Sequence, residues 1–259
     1  MRFSTTHLFS SVVIAGMSIL LMSASGCEGS SETRSSVGGT HSAGKPAKVR
    51  IETKFGDMVV QLSDSTPKHR DNFLKLVEEG FYDSTLFHRV INEFMIQGGD
   101  PASKGADGST RLGSGGPGYT VDAEIRPDLL HVKGALAAAR QGDNVNPLRK
   151  SSGSQFYIVQ GRTFTDAEMS GVEGRIAAFA ETYGNGLANV ENGQFVYSSE
   201  AREVYKTLGG TPFLDMQYTV FGHVTEGLNV VDSIANVATD RRRGDRPLED
   251  VVMTMKRIQ

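Results

Sequence analysis

The sequence predicts a mainly β fold, an antiparallel barrel with two framework helices. Many short runs with strand patterns recur along the chain, and turn residues separate them. Glycine supplies 30 of the 259 residues, which suits a fold with many tight turns. Only two segments of the predicted barrel carry apolar residues at helical spacing. Many short strands with few helices are typical of antiparallel barrels.

The first predicted elements are a hairpin and a helix. Residues 49–53 and 58–62 have strand patterns and flank a turn that contains Gly56, which predicts a β-hairpin. The Thr-Pro pair at 66–67 predicts a helix start, because threonine caps a helix and proline fits its first turn. Gly80 predicts the end of this helix.

The rest of the predicted barrel consists of further strands and a second helix. The helix rests on Leu228, Val231 and Ile234, which share one helical face. The predicted strands are 86–91, 94–97, 134–140, 155–160, 220–224 and 251–255, and the predicted helix covers 226–235.

Residues 162–211 interrupt this pattern, and we interpret them as a helical insertion on the barrel surface. The segment shows no clear strands. Thr165 and Glu168 match a capping box, which predicts a helix start. A second short helix is predicted over 199–208, ended by Gly209. The first helix carries apolar residues at helical spacing, namely Val172, Ile176, Phe179 and Tyr183.

The N-terminus has the features of a secretory signal peptide over residues 1–26. Arg2 precedes an apolar run over 8–22, and small residues follow it. The sole cysteine, Cys27, comes directly after Ala24-Ser25-Gly26, which resembles the bacterial lipobox, although that motif prefers leucine where Ala24 stands. We predict that Cys27 is lipidated. The alternative is an ordinary signal peptide with an incidental cysteine.

This leader implies an exported protein, an envelope lipoprotein in the periplasm or at the outer membrane, held to a membrane by its lipid. Residues 27–47 would comprise the lipidated cysteine and a flexible tether, because this stretch has almost no apolar residues. The folded domain is predicted over 48–259. A net charge of −3 excludes the strongly basic balance of nucleic-acid-binding proteins. We expect a monomer, since no pattern suggests an obligate partner.

Metal, cofactor and disulfide sites are not predicted. One cysteine cannot form an intrachain disulfide. The glycine-rich run at 113–118 lacks the ending of a phosphate loop and is interpreted as a surface loop, and the arginine run at 241–243 as a solvated turn. His88 is interpreted as a buried structural residue. The six histidines have no metal-ligand spacing, and they stand at positions 7, 41, 69, 88, 131 and 223.

Three blocks in order carry a family resemblance. The first runs FHRVI at 87–91 into FMIQGGD at 94–100, and the second runs GALAAAR at 134–140 into GSQFYI at 153–158. The third runs FLD at 213–215 into VFG at 220–222. Apart from the insertion, residues 48–259 resemble the cyclophilin family of peptidyl-prolyl cis-trans isomerases. The resemblance implies a closed, antiparallel, eight-stranded barrel capped by two helices.

The resemblance also implies a role for each matching residue. Arg89 stands at the catalytic arginine, and Gln97 at the glutamine that contacts substrate and supports it. Phe213 and Tyr218 stand at the rim. The positions that line the proline pocket are Phe94, Met95, Tyr157 and Leu214, and those along the groove for residues before the proline are Ala139, Arg140 and Gln155.

Four of these positions depart from the best-known eukaryotic pattern. Tyr157 replaces a phenylalanine, Arg140 an asparagine, Phe213 a tryptophan that helps to bind cyclosporin, and Tyr218 a histidine. The choices at 213 and 218 resemble bacterial members. The intact set of Arg89, Phe94, Met95 and Gln97 favours an isomerase that acts on X-Pro segments of exported proteins. The alternatives are a catalytically weak peptide-binding module of the same fold and a purely structural envelope lipoprotein.

Overall fold

The computed structural model describes residues 46–183, 190–191 and 194–259. The predicted signal peptide, Cys27 and all but the end of the tether lie outside these residues, as do the side chains of Phe179 and Tyr183. Within the described ranges, no helix is both long enough and apolar enough to span a bilayer.

The described residues form short strands and four α-helices. The helices are α1 (Pro67–Glu78), α2 (Asp166–Tyr183), α3 (Ser199–Thr207) and α4 (Leu228–Ala235). The strands are β1 (Lys48–Thr53), β2 (Gly56–Leu62), β3 (Thr85–Leu86), β4 (Arg89–Ile91), β5 (Met95–Gly98), β6 (Thr120–Val121), β7 (Ala135–Ala138), β8 (Ser151–Ser152), β9 (Phe156–Val159), β10 (Val190–Glu191), β11 (Gln194–Phe195), β12 (Val220–Glu226), β13 (Thr239–Asp240), β14 (Arg246–Pro247) and β15 (Val252–Arg257).

Nine strands form one antiparallel sheet in the order β3-β15-β1-β2-β12-β7-β9-β5-β4. The two edge strands, β3 and β4, are separated in the chain by Phe87 and His88 alone, so the strongly curled sheet brings its two edges together at this segment, although no ladder joins β3 to β4 among the described residues. The single strand predicted over 86–91 is wrong, because Phe87 and His88 are both buried and the alternation of a half-buried strand is lost there. Counted as one interrupted strand, β3 and β4 complete the predicted eight.

The main core fills the barrel, and α1 and α4 cap it. Phe73 of α1 lies at the centre, with ring centroids 5.7 Å from Phe156 and 5.4 Å from Phe221. Aromatic pairs at such distances add to the stabilisation from buried area. Val231 and Ile234 of α4 are fully buried in the same cluster, as their helical spacing predicts.

The start of α1 is capped differently from the prediction. The Thr66 hydroxyl makes no cap and lies 3.5 Å from the Ser63 carbonyl. The Glu124 carboxylate instead accepts the N–H groups of Lys68 and His69, at 3.1 and 3.0 Å. A carboxylate at this end also opposes the positive end of the helix dipole. The capping group therefore comes from a distant loop, which local sequence does not reveal.

The insertion contains the two predicted helices. The capping box is confirmed: Thr165 Oγ1 accepts the Glu168 N–H at 3.3 Å, and Glu168 Oε2 accepts the Thr165 N–H at 2.8 Å. The prediction that this segment lacks strands is wrong, because β10 pairs with β11. In addition, Gly210 pairs with both Arg162 and Val132, which joins the two ends of the insertion at the barrel.

The insertion has a hydrophobic cluster of its own, separate from the main core. Met169, Val172 and Ile176 of α2 and Tyr205 of α3 are buried in it. Partly buried side chains of the preceding loop, among them Leu130, pack against this cluster. The insertion therefore rests on the barrel through apolar contacts as well as backbone pairing.

Candidate functional site

Most of the predicted site residues line one cavity of about 370 Å³. Strands β4, β5 and β9, the two residues after β7, and the segments 110–113, 214–218 and 243–246 contribute its walls. The predicted residues around it are Arg89, Phe94, Met95, Gln97, Ala139, Arg140, Tyr157, Leu214 and Tyr218. Gln155 lies in an adjoining groove of about 520 Å³, which shares Gln97, Ala139 and Arg140 with the cavity. The two spaces form one continuous candidate site.

Strand register brings the pocket floor together. Met95 and Gln97 are two residues apart on β5 and so face the same side of the sheet. Tyr157 of β9 pairs directly with Gln97. Met95 and Tyr157 are almost fully buried, and both belong to the apolar cluster under the cavity. Phe213 is outside the cavity lining and stacks on Phe94 at 5.9 Å, at the rim as predicted.

Arg89 stands beside this apolar floor. It pairs across the ladder with Gln97, and its Nη1 donates to Gln97 Oε1 at 3.4 Å. Its Nε lies 3.9 Å from Asp245 Oδ2. The Arg89 side chain is 40% exposed, so it reaches the open cavity while two partners restrain it.

A relay of amides continues from Arg89 into the groove. Gln97 Nε2 donates to Gln155 Oε1 at 3.1 Å. Gln155 Nε2 in turn donates to the Gly115 carbonyl at 2.7 Å. Because Arg89 can only donate, each amide of the relay has one possible orientation. The relay fixes Gln97 between the arginine and the groove.

Arg140 is also restrained, but its charge is already paired. Its guanidinium carbon lies 4.6 Å from the centre of the Tyr218 ring, in a cation–π contact. Its Nη1 binds Asp143 at 2.5 Å. Burial alone would raise the pKa of Asp143, but the hydrogen bond and charge of Arg140, with the charge of Arg149, hold this pKa below its usual value. Arg140 therefore shapes the groove wall as part of an ion-paired cluster.

Several site residues were missed by the sequence reasoning. No sequence pattern around Asp245 indicated that it would lie beside Arg89. Arg243 lines the cavity, so the interpretation of 241–243 as only a solvated turn is incomplete. The glycine run at 113–118 lines the groove. Buried Asp100 holds this run by accepting the Gly113 N–H at 2.5 Å, and its place in the GGD motif could have indicated it.

His88 is buried beside the cavity, as predicted. Burial lowers its pKa from 6.5 to about 4, and the nearby charge of Asp100 offsets only part of this effect. At neutral pH the ring is therefore uncharged. The part of the chain that the structure describes has no cluster of three or more His, Cys, Asp or Glu that could hold a metal ion.

The combined geometry fits an extended peptide with a small apolar ring. The pocket over Met95 and Tyr157 excludes water from such a ring. Arg89 supplies fixed donors at the pocket edge, and the groove beside Gln155 leaves room for the preceding residues. The arrangement can bind and hold a peptide bond, and it needs no covalent step to do so.

Comparison with known proteins agrees with this geometry. Residues 48–257 match the family described as cyclophilin type peptidyl-prolyl cis-trans isomerase/CLD. A putative peptidyl-prolyl cis-trans isomerase of Staphylococcus epidermidis is 35% identical over 207 residues, which cover 80% of this chain and 88% of that protein. A putative bifunctional phosphatase/peptidyl-prolyl cis-trans isomerase of Streptococcus pyogenes is 36% identical over 209 residues, and the chain spans only 37% of its length.

A solved structure supports the fold. The crystal structure of a cyclophilin type peptidyl-prolyl cis-trans isomerase of Cryptosporidium parvum superposes with a TM-score of 0.55 and 24% identity. The match covers 83% of this chain and 99% of that one. This likeness confirms the predicted mainly β, cyclophilin-like fold.

Proposed function

Because the chain belongs to the cyclophilin-type peptidyl-prolyl cis-trans isomerases and is an isomerase of this type, we propose that Arg89 carries the catalysis of X-Pro bond rotation. The observation behind this proposal is the position of its guanidinium, restrained by Gln97 and Asp245 at the edge of an apolar pocket. The proline ring of the substrate would occupy the pocket over Met95 and Tyr157.

Catalysis of X-Pro bond rotation requires no bond to be made or broken. The cis and trans forms of an X-Pro bond are close in energy, but a barrier of ~18–20 kcal/mol from amide resonance separates them. A catalyst needs only to bind the twisted bond more tightly than either planar form. Twisting frees the lone pair of the prolyl nitrogen, and a fixed guanidinium can donate a hydrogen bond to it. Arginine suits this role because it stays charged and its donors are rigid.

The test is the cis-to-trans rate of an X-Pro peptide with the wild type and Arg89→Ala. We expect kcat/KM to fall by ~10²–10³, as for the loss of one transition-state donor. Arg50→Ala is the matched control. Its Nε lies 3.8 Å from Asp57 and its side chain is 45% exposed, which resembles Arg89, but it lies on β1 outside the cavity.

Each result decides between the open alternatives. A large loss in Arg89→Ala with full activity in Arg50→Ala supports the proposal. Full activity in Arg89→Ala would assign the catalysis to other groups. A folded wild type that binds proline peptides without accelerating their rotation would favour the weak binding module, and no preference for proline would favour the structural lipoprotein.

We further propose that the isomerase acts on proline-containing segments of exported proteins, as a monomer tethered to a membrane through lipidated Cys27. The signal-like residues 1–26 and the small residues before Cys27 support this setting. A lipid on Cys27 would also remove a free thiol from an oxidising compartment. The polar stretch 28–47 would let the domain reach its clients.

Mass spectrometry of the mature N-terminus tests the anchor. We expect an acylated cysteine as the first residue and the protein in the membrane fraction. Cys27→Ala should abolish acylation and release the protein from that fraction. An unmodified thiol at residue 27, or an N-terminus elsewhere, would contradict the anchor and leave the isomerase proposal intact.

A further inference from the structure

A chain of hydrogen bonds joins the floor of the proline pocket to the insertion. We call its five members the Asp215 network. All of them are at least 95% buried, and none belongs to the arginine relay. The members are Tyr157, His131, Asp215, Tyr197 and Tyr205.

Asp215 is the centre of the network and accepts four hydrogen bonds. Oδ1 accepts the backbone N–H of His131 at 2.7 Å and its Nδ1–H at 2.8 Å. Oδ2 accepts the hydroxyls of Tyr197 and Tyr205, both at 2.6 Å. A carboxylate that is 1% exposed needs such donors, because burial without partners is costly. Two of the four donors, the hydroxyls of Tyr197 and Tyr205, belong to the insertion.

Hydrogen bonds link each member of the network to the next. Nδ1 of His131 bonds to Oδ1 of Asp215, and its Nε2 shares a hydrogen bond of 2.9 Å with the Tyr157 hydroxyl. Burial, together with the charge of Asp215, raises the pKa of Tyr197 and Tyr205 far above the usual value, so both keep their protons and donate.

The backbone around the network limits its freedom to move. The carbonyl of His131 accepts the N–H of Thr211, at the end of the insertion, at 2.8 Å. Asp215 directly follows Leu214, and its own N–H donates to the Pro212 carbonyl at 3.0 Å. Asp215 thus joins the pocket lining at Leu214, the floor at Tyr157 and the insertion.

We propose that Tyr197 and Tyr205 are positioning residues for the isomerase, which act through Asp215 and His131 on the ring of Tyr157. The insertion is then a part of the site, although it does not line the proline pocket. Removal of one tyrosine hydroxyl leaves Oδ2 of Asp215 short of a donor. The carboxylate must then shift, and His131 and the Tyr157 ring shift with it.

The experiment compares Tyr205→Phe in the wild type and in the Tyr157→Phe background. In the wild type, Tyr205→Phe should lower kcat/KM for an X-Pro peptide by about threefold to tenfold, chiefly through KM, because a misplaced floor weakens binding of the proline ring. In Tyr157→Phe the link to His131 is already lost, so the same substitution should change kcat/KM by less than about twofold. Tyr197→Phe should behave in the same way.

Tyr82→Phe is the matched control. Tyr82 is as deeply buried and donates its hydroxyl to the Ser154 carbonyl at 3.1 Å, but it packs in the main core. It should lower the free energy of unfolding and leave KM unchanged. An effect of Tyr205→Phe that is equal in both backgrounds, or a loss of stability without any change in KM, would overturn the proposal.

The positioning proposal rests on the proposed isomerase function. A measurement of peptide affinity distinguishes the failure of the positioning proposal from the failure of the arginine proposal. Calorimetric affinity for the same peptide needs no turnover. If the wild type binds the peptide but does not accelerate its rotation, the arginine proposal fails, and a Tyr205→Phe defect in affinity still supports the positioning role. An unchanged affinity in that case would reject it.

Discussion

At the scale of single residues, Arg89 depends on partners that hold its guanidinium at the pocket edge. Gln97 faces it across the ladder, and Asp245 lies on its other side. The resemblance of the FHR and FMIQGGD blocks to the family was enough to predict that Arg89 and Gln97 belong to the candidate site. The contact of Asp245 with Arg89 could not be predicted from sequence, because it depends on how the segment after α4 folds back beside β4. There the Val90 N–H donates to the Asp245 carbonyl.

The relay predicts the effect of an isosteric change at Gln155. In Gln155→Glu the carboxylate can still accept from Gln97, but it can no longer donate to the Gly115 carbonyl, and the two oxygens repel each other. We expect kcat/KM to fall by about tenfold, in line with the cost of one partly buried acceptor left without its donor. Peptide kinetics would measure this fall.

Gln61→Glu is the control for the added charge. Gln61 lies on β2, outside both the cavity and the groove. It should keep wild-type kinetics. Equal losses in both variants would mean that net charge, rather than the relay, governs the rate.

At the scale of elements, the insertion combines local signals with long-range contacts. Its two helices follow from a capping box and from helical spacing, which act within one or two turns. Its apolar cluster and its tyrosine contacts with Asp215 depend on tertiary packing. The main core contains no residue of 162–211, so the barrel and the insertion are separate packing units.

This separation predicts the result of removing the insertion. Arg162 and Gly210 are paired, so a short Gly-Ser linker can replace residues 163–209. We expect the shortened chain to fold, because its main core is intact, but with lower stability and a raised KM, because Asp215 loses two donors. Urea unfolding and peptide kinetics would measure both.

The Tyr197→Phe, Tyr205→Phe double variant is the reference for that experiment, since it removes the two donors and keeps the insertion. The KM of this double variant should rise, as the KM of the shortened chain does. Wild-type kinetics in the shortened chain would make the insertion an independent appendage. Failure to fold would make it part of the barrel core.

At the scale of the whole molecule, the curling of the sheet buries a titratable group. The break between β3 and β4 places His88 inside, and its pKa falls to about 4. The unfolded chain, with a pKa near 6.5, takes up the proton first as the pH falls. The stability linked to His88 is therefore complete above about pH 6.5, declines as the pH falls from 6.5 to about 4, and is lost below that.

The expected loss across this range is about 3 kcal/mol, from a shift of roughly two to three pKa units. His88→Gln removes the titration and should flatten the dependence of the unfolding free energy on pH between 7 and 4. Urea unfolding at several pH values would measure it. His69 also has a pKa lowered by burial, so the difference between wild type and variant isolates His88. Parallel curves for the two proteins would contradict the assignment.

Local patterns and motif order were enough to predict the strand-rich fold, the two framework helices, the two helices within 162–211 and most of the residues around the pocket. These follow from patterns within a few residues or from motifs whose order the family shares. Long-range packing sets the remaining features, namely the split of the strand at 86–91, the cap of α1 by Glu124, and the links of Asp245 to Arg89 and of the insertion tyrosines to Asp215. Those contacts join residues far apart in the chain, and a buried charge takes whichever donors the closed fold brings within reach.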